Sequence, residues 1–228
     1  MTNIDSYAKM ISEFYHNGTS NHLEHNSNPS YWSILLKRLI SEPKIFEDKF
    51  FLDFGCGKGR NVLNAHSIVN WKSADGVDIS ENNIDYCKNQ YTMLKSNFFK
   101  NNGKDLSELE SNKYSFVMST IVLQHLCVYE LRLQLLKEIF RVMEPRGIFC
   151  FQMGFGDYSF VGTSTVSEYY ANDYHCLGTN GKFDVRVSDP QNVVDDLNTI
   201  GFKNTTYQIK ESWVDTGHSH WIYFETNK

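Results

Sequence analysis

Long apolar runs, dense basic stretches and paired cysteines are all missing from this 228-residue chain. No window approaches the ~20 consecutive apolar residues that a membrane-spanning helix requires. The opening MTNIDSYAKMISEFYHNG carries neither a basic leader nor an apolar core of the kind that directs export. Membrane insertion and secretion are therefore not expected, and a cytoplasmic location is. Lys and Arg number 22 against 27 Asp and Glu. No cluster of them could neutralise a run of phosphates, which argues against nucleic acid as a partner. The five cysteines, Cys56, Cys87, Cys127, Cys150 and Cys176, are odd in number and widely spaced. Without a CxxC pair they indicate neither a zinc site nor a redox dithiol, only reduced thiols. With four prolines, no repeat and no low-complexity tract, no interdomain linker stands out.

What is present is the composition of one folded α/β domain, 41% hydrophobic and 21% charged. Four stretches differ in pattern. Residues 1–47 read as helical pieces broken by the polar turn HNGTSNHLEHNSNPS, after which Tyr31, Leu35, Leu36 and Leu39 recur at helical spacing. Residues 48–152 alternate short apolar strands with helices: Phe50 to Leu52, a strand ending near Val77, a helix capped by Ser80, and the strand Tyr114 to Ser119. A helix over Leu131 to Met143 follows, halted by Pro145 and Gly147, and then the strand Ile148 to Phe151. That order implies a parallel sheet covered on both faces. Residues 153–188 are long, aromatic and without period, as expected of an insertion over a site. Residues 189–228 open with Asp189-Pro190, a capped helix start. They close with two strands, Thr205 to Ile209 and Trp221 to Phe224.

The chemistry concentrates where the first strand runs into Asp53-Phe54-Gly55-Cys56-Gly57-Lys58-Gly59. Such a turn brings bare backbone to the carboxyl edge of the sheet, where ligands of doubly wound folds bind. The spacing is GxGxG with an acid at the strand end. A pyrophosphate-binding dinucleotide fold would favour GxGxxG and no nearby carboxylate, whereas an acid suits an ammonium-bearing ligand. Asp78 ends the next strand, placed to accept hydrogen bonds from ribose hydroxyls.

These residues resemble the class I S-adenosylmethionine-dependent methyltransferases, in particular their small-molecule branch. The resemblance implies a Rossmann-like sheet of seven strands, mostly parallel, with a C-terminal antiparallel hairpin. It also implies S-adenosylmethionine as cofactor and S-adenosylhomocysteine as product. It would place Asp53, Gly55, Cys56, Gly57 and Gly59 at the methionine part, Asp78 and Ile79 at the ribose, and Ser119 and Thr120 beside them. Asn102 would meet the adenine amino group, with Asn101 as the competing register. Two further stretches carry the likeness: Ser119 to Leu126 (STIVLQHL), and Phe140 to Gly147, where Arg146 stands in place of a usual glycine.

His125 follows the fourth strand and is the candidate general base; a purely structural role for it stays open. His218 and His220 share a face of the last strand, but with no acid nearby in sequence, solvated histidines are the preferred reading over a metal pair. No (D/N)PP(Y/F/W) string and no metal-binding Asp follow the fourth strand. This leaves metal-independent transfer to a small molecule or peptide. The rival readings are a non-catalytic cofactor-binding partner or sensor, and a nicotinamide-dependent oxidoreductase. Tyr15 and Tyr31 are expected in a lid; the oligomeric state and the acceptor are not legible.

Overall fold

The structure, a computed structural model, describes residues 3–17, 29–156, 166–171, 184–211 and 219–228. Strands β1 (Phe50–Phe54), β2 (Ser73–Asp78), β3 (Phe98–Lys100), β4 (Tyr114–Ser119) and β5 (Met143–Phe155) lie in the order β3-β2-β1-β4-β5, all parallel. The far edge of β5 pairs with β9 (His220–Asn227), which pairs in turn with β8 (Lys203–Glu211). β9 runs antiparallel to both neighbours. The seven-stranded, mostly parallel sheet expected from the sequence is therefore present. Two short strands add to it: β6 (Val166–Glu168) and β7 (Asp184–Val187).

Alternation along each strand decides which layer a residue joins. In β1, Leu52 and Phe54 face a cluster that includes Leu131, Leu135 and Ile139 of α6 (Tyr129–Val142) and Val193 and Leu197 of α7 (Pro190–Ile200). Phe51 faces the opposite cluster, with Val62 and Ala65 of α4 (Arg60–Ile68) and Ile84 and Cys87 of α5 (Glu81–Gln90). Burial on both faces is what allows the near-continuous apolar runs of a parallel sheet. Helix α1 (Asn3–Asn17) contributes Tyr7 and Ile11 to the first cluster. Helices α2 (Pro29–Leu35) and α3 (Lys37–Ser41), with Leu36 between them, contribute Leu35, Leu36 and Leu39 to the second.

Caps read from the sequence form as expected. Ser80 Oγ accepts from Asn83 N (3.4 Å), and Asp189 accepts from Gln191 N (2.9 Å) with Pro190 beginning the helix. One boundary differs. Helix α6 stops at Val142 and β5 begins at Met143, before Pro145, with the register jumping from Tyr114↔Met143 to Phe116↔Ile148. The bulge absorbs Glu144 to Gly147, and Arg146 sits there at φ 68°, the left-handed region that favours the glycine it replaces.

The segment after β5 is built differently from the rest. β7 lies parallel to β5 at Gly154 and Phe155, on the edge that β4 has left after Ser119 pairs with Phe151. It thus extends the sheet beyond the carboxyl end of β4. Tyr169, next to β6, is buried against Tyr129 and Arg132 of α6. Tyr158, Phe160, Tyr174 and Phe183 of this stretch, like Cys176 and His218, lie outside the described residues, and so does the side chain of Tyr31. The described cysteines, Cys56, Cys87, Cys127 and Cys150, are buried free thiols. Among the described residues no helix is long and apolar enough to cross a membrane.

Candidate active site

The turn after β1 is shaped by three glycines at positive φ: Gly55 (77°), Gly57 (51°) and Gly59 (81°). Gly55 N and Cys56 N donate to Val77 O at 2.8 and 3.0 Å, pinning the turn to β2. Gly57 N donates to Asp78 Oδ2 at 2.8 Å. Oδ1 of the same carboxylate accepts from Ser80 N (2.8 Å) and Asn83 Nδ2 (3.3 Å). Burial pushes the Asp78 carboxyl above the usual carboxylate range, while these donors pull it back toward the charged form. Gly57 matters for a second reason. A Cβ built there meets no atom within 4 Å, so bare backbone is open to a ligand at this point.

Asp53 lies one layer deeper. It is fully buried, and burial raises its pKa to about 7, although an Asn61 hydrogen bond and the Arg60 charge oppose the rise. Asn61, on the first turn of α4, donates to Asp53 Oδ1 (3.4 Å) and Thr120 Oγ1 (3.0 Å), bridging the ends of β1 and β4. Among the described residues, Asp53 Oδ2 has no hydrogen-bond partner. A buried carboxylate oxygen left without a donor is costly unless a ligand or a proton reaches it.

An open cavity lies above this edge. Its floor and one wall are Gly55, Cys56, Gly57, Asp78, Ile79 and Asn101, with Thr120, Ile121, Val122 and His125 beyond the end of β4. Ala8, Ile11 and Tyr15 of α1 and Leu131 and Leu135 of α6 make the apolar side. Of the residues singled out in sequence, Gly55, Cys56, Gly57, Asp78, Ile79, Thr120 and His125 line this space. Asp53, Gly59, Ser119 and Asn102 do not. Ser119 is buried, and Gly59 is the N-cap of α4, where an added Cβ would come within 2.7 Å of the Tyr91 ring.

Asn102, expected at the adenine, lies off this cavity. Its Oδ1 accepts from Lys104 N (2.7 Å) and Asp105 N (3.0 Å), and its Nδ2 donates to Asp105 Oδ1 (3.0 Å). The side chain is spent on its own exposed turn. Asn101 is the buried neighbour at the cavity wall, with Oδ1 accepting from Gly103 N at 3.3 Å.

His125 ends a short 3-10 turn, Leu123–His125. Its carbonyl accepts from Tyr7 Oη (3.0 Å), which in turn accepts from Cys127 N (2.7 Å), so α1 clamps this turn through one hydroxyl. Its Nδ1 lies 2.5 Å from Asp184 Oδ1 of β7. The Tyr15 ring stands 6.2 Å from the imidazole, tilted by 52°. Burial, reinforced by Asp184 and Asp78, raises the Tyr15 phenol far above its ordinary value and holds it protonated. His220, at the start of β9, pairs with Ser219 Oγ at 2.9 Å.

Sequence reasoning missed Asn61 and Asn83, and it gave Tyr7 and Asp184 no partner at the site. Asn61 and Asn83 carried a faint signal, as amides on the inward face of the helices that follow the glycine turn and Asp78. Asp184 falls in the stretch expected to lie over the site, but its pairing with His125 carried no signal, because the inserted strands alone bring the two together.

A glycine turn at the carboxyl edge of a Rossmann-like sheet, with a carboxylate ending the neighbouring strand, defines a class I cofactor-binding fold. Residues 52–151 match the model of a methyltransferase domain family, in keeping with the resemblance of the glycine turn and Asp78 to the class I S-adenosylmethionine-dependent methyltransferases. Among solved structures it is similar to a methyltransferase from Methanosarcina mazei (20% identity, TM-score 0.62, covering 79% of this chain and 92% of that one). A Mesorhizobium loti methyltransferase is similar at 14% identity and TM-score 0.63 (89% and 100% covered). So is Haemonchus contortus phosphoethanolamine N-methyltransferase 2 bound to phosphomonomethylethanolamine and S-adenosylhomocysteine (14%, TM-score 0.62, 98% and 57% covered). No curated protein matches in sequence. The open backbone at Gly57 and the carboxylate of Asp78 fit the S-adenosylmethionine that the resemblance implies as cofactor.

Proposed function

We propose that this enzyme transfers the methyl group to an oxygen or nitrogen of a small metabolite or short peptide by in-line displacement, without a metal. The observation that carries this reading is the make-up of the single cavity described. The glycine turn and Asp78 line one part and His125 another, while Ala8, Ile11, Leu131 and Leu135 add apolar lining. When bound, S-adenosylmethionine supplies an electrophilic methyl on a sulfonium. The protein's part is to align the acceptor, exclude water and offer oriented dipoles, because alignment at ~3 to 3.5 Å carries much of the rate. Gly55, Cys56, Gly57 and Asp78 are assigned to hold the cofactor, Asn101 to meet its adenine, and Asp53 and Thr120 to support the turn through Asn61. His125 is assigned as the base. Ser119 and Thr120 stand where catechol-type enzymes carry a metal-binding Asp, which supports metal-independent transfer.

The test pairs binding with turnover. Asp78→Ala is expected to weaken S-adenosylhomocysteine binding by about 1 to 3 kcal/mol in calorimetry; unchanged affinity would sink the site assignment. Incubation of the wild type with methyl-labelled cofactor and a metabolite extract should label a small product identifiable by mass spectrometry. Tight cofactor binding with no labelled product in any fraction would favour a sensor instead.

A further inference from the structure

We propose that Asp184 is the positioning residue for His125: it fixes the ring so that Nε2 takes a proton from the methyl acceptor. The acceptor is then a group that loses a proton on methylation, such as a hydroxyl or an ammonium. This rests on the reading of His125 as the base.

Three observations carry it. The first is chemical. An ionised carboxylate only accepts hydrogen bonds, so the 2.5 Å contact between Asp184 Oδ1 and His125 Nδ1 places the ring proton on Nδ1. The neutral imidazole then keeps its lone pair on Nε2. The second is that the His125 backbone is held without Asp184: its N donates to Val122 O (2.9 Å), and its carbonyl accepts from Tyr7 (3.0 Å). What Asp184 adds is the orientation of the side chain. The third is topological. Strand β7 occupies the edge of β5 that β4 has vacated and packs against the 123–125 turn, so the carboxylate is delivered by a strand added to the seven-stranded core. Among the described residues, Asp184 from β7 and Tyr15 from α1 are groups that face the ring, and Tyr15 holds its own proton.

The transfer balances. The acceptor atom bonds to the methyl carbon as the carbon–sulfur bond breaks, its electron pair staying on sulfur in S-adenosylhomocysteine. The acceptor proton passes to Nε2, and the resulting imidazolium is paired with the Asp184 carboxylate until the proton leaves to solvent.

The tautomer can be read without knowing the acceptor. In ¹⁵N-labelled wild type at a pH where histidine is neutral, the His125 ring, assigned by loss of its signals in His125→Ala, should show Nδ1–H and an unprotonated Nε2. Asp184→Ala should shift it toward Nε2–H, and Asp184→Glu should restore it. An Nε2–H ring in the wild type overturns the proposal even if the variants do not fold. So does a tautomer that Asp184→Ala leaves unchanged. In the labelled-methyl assay, Asp184→Ala should slow transfer at least tenfold with S-adenosylhomocysteine affinity kept within about twofold, and an unchanged rate overturns the proposal. If the tautomer behaves as stated but His125→Ala transfers methyl groups at the wild-type rate, it is the base assignment that falls.

Discussion

At the scale of single residues, Asp53 shows how a buried acid couples folding stability to pH. Its ordinary carboxyl value of 3.8 is raised to about 7 in the folded chain, chiefly by burial. Between those limits the folded chain holds a proton that the unfolded chain has lost. The stabilisation from this proton is full below about pH 4 and is lost as pH rises through 7. Ligand-free urea midpoints should therefore fall from pH 5 to pH 8, with a contribution on the order of 2 to 4 kcal/mol. Asp53→Asn should flatten that slope, and a slope unchanged in the variant would mean another group titrates. Asp53 was legible in the sequence as an acid at a strand end. The Asn101 and Asn102 pair was not, because two identical side chains in one turn are told apart only by the path of the backbone.

Among the elements, the turn from β1 to α4 separates two uses of glycine. A Cβ on Gly55 would lie 2.2 Å from Val122 Cγ2, whereas one on Gly57 would enter open space. Both positions have positive φ, so alanine carries a conformational cost of about 1 to 2 kcal/mol at either. Gly55→Ala must also displace Val122, in the segment leading to His125, adding about 1 to 3 kcal/mol. Thermal unfolding should rank Gly55→Ala as the more damaging. Gly57→Ala should stay folded and lose S-adenosylhomocysteine affinity, and full affinity in that variant would place the ligand elsewhere. The β1, β2, β4 and β5 runs, the Ser80 and Asp189 caps and the C-terminal hairpin were readable because each follows from local periodicity or a single capping atom. The early start of β5 was not, since strand pairing with β4 overrides the Pro145 and Gly147 signal.

Over the whole molecule, distant segments are tied together at the site by few groups. Arg132 is almost fully buried on α6, donates to Leu126 O and Tyr169 O, and stacks 4.6 Å over the Tyr169 ring. It thereby joins the loop after His125 to the end of β6. Arg132→Met keeps the bulk and removes both donors. Hydrogen exchange should then rise at residues 166–171 and 184–187 while β1 and β2 stay protected; equal protection throughout would show that the strands dock without it. The segments expected as one N-terminal lid divide between layers: α1 walls the cavity, while α2 and α3 pack on the opposite face of the sheet. By itself the sequence determined the seven-stranded core and the glycine turn, because those depend on residues close in the chain whose spacing is dictated by backbone geometry, and the cofactor followed as what their resemblance implies. The tertiary structure alone decided that Asp184 meets His125 and that Tyr7 holds the turn from His125 to Cys127. Those contacts join residues 59 and more than 100 positions apart, and only the packing of an added strand and a terminal helix over the sheet edge brings them together.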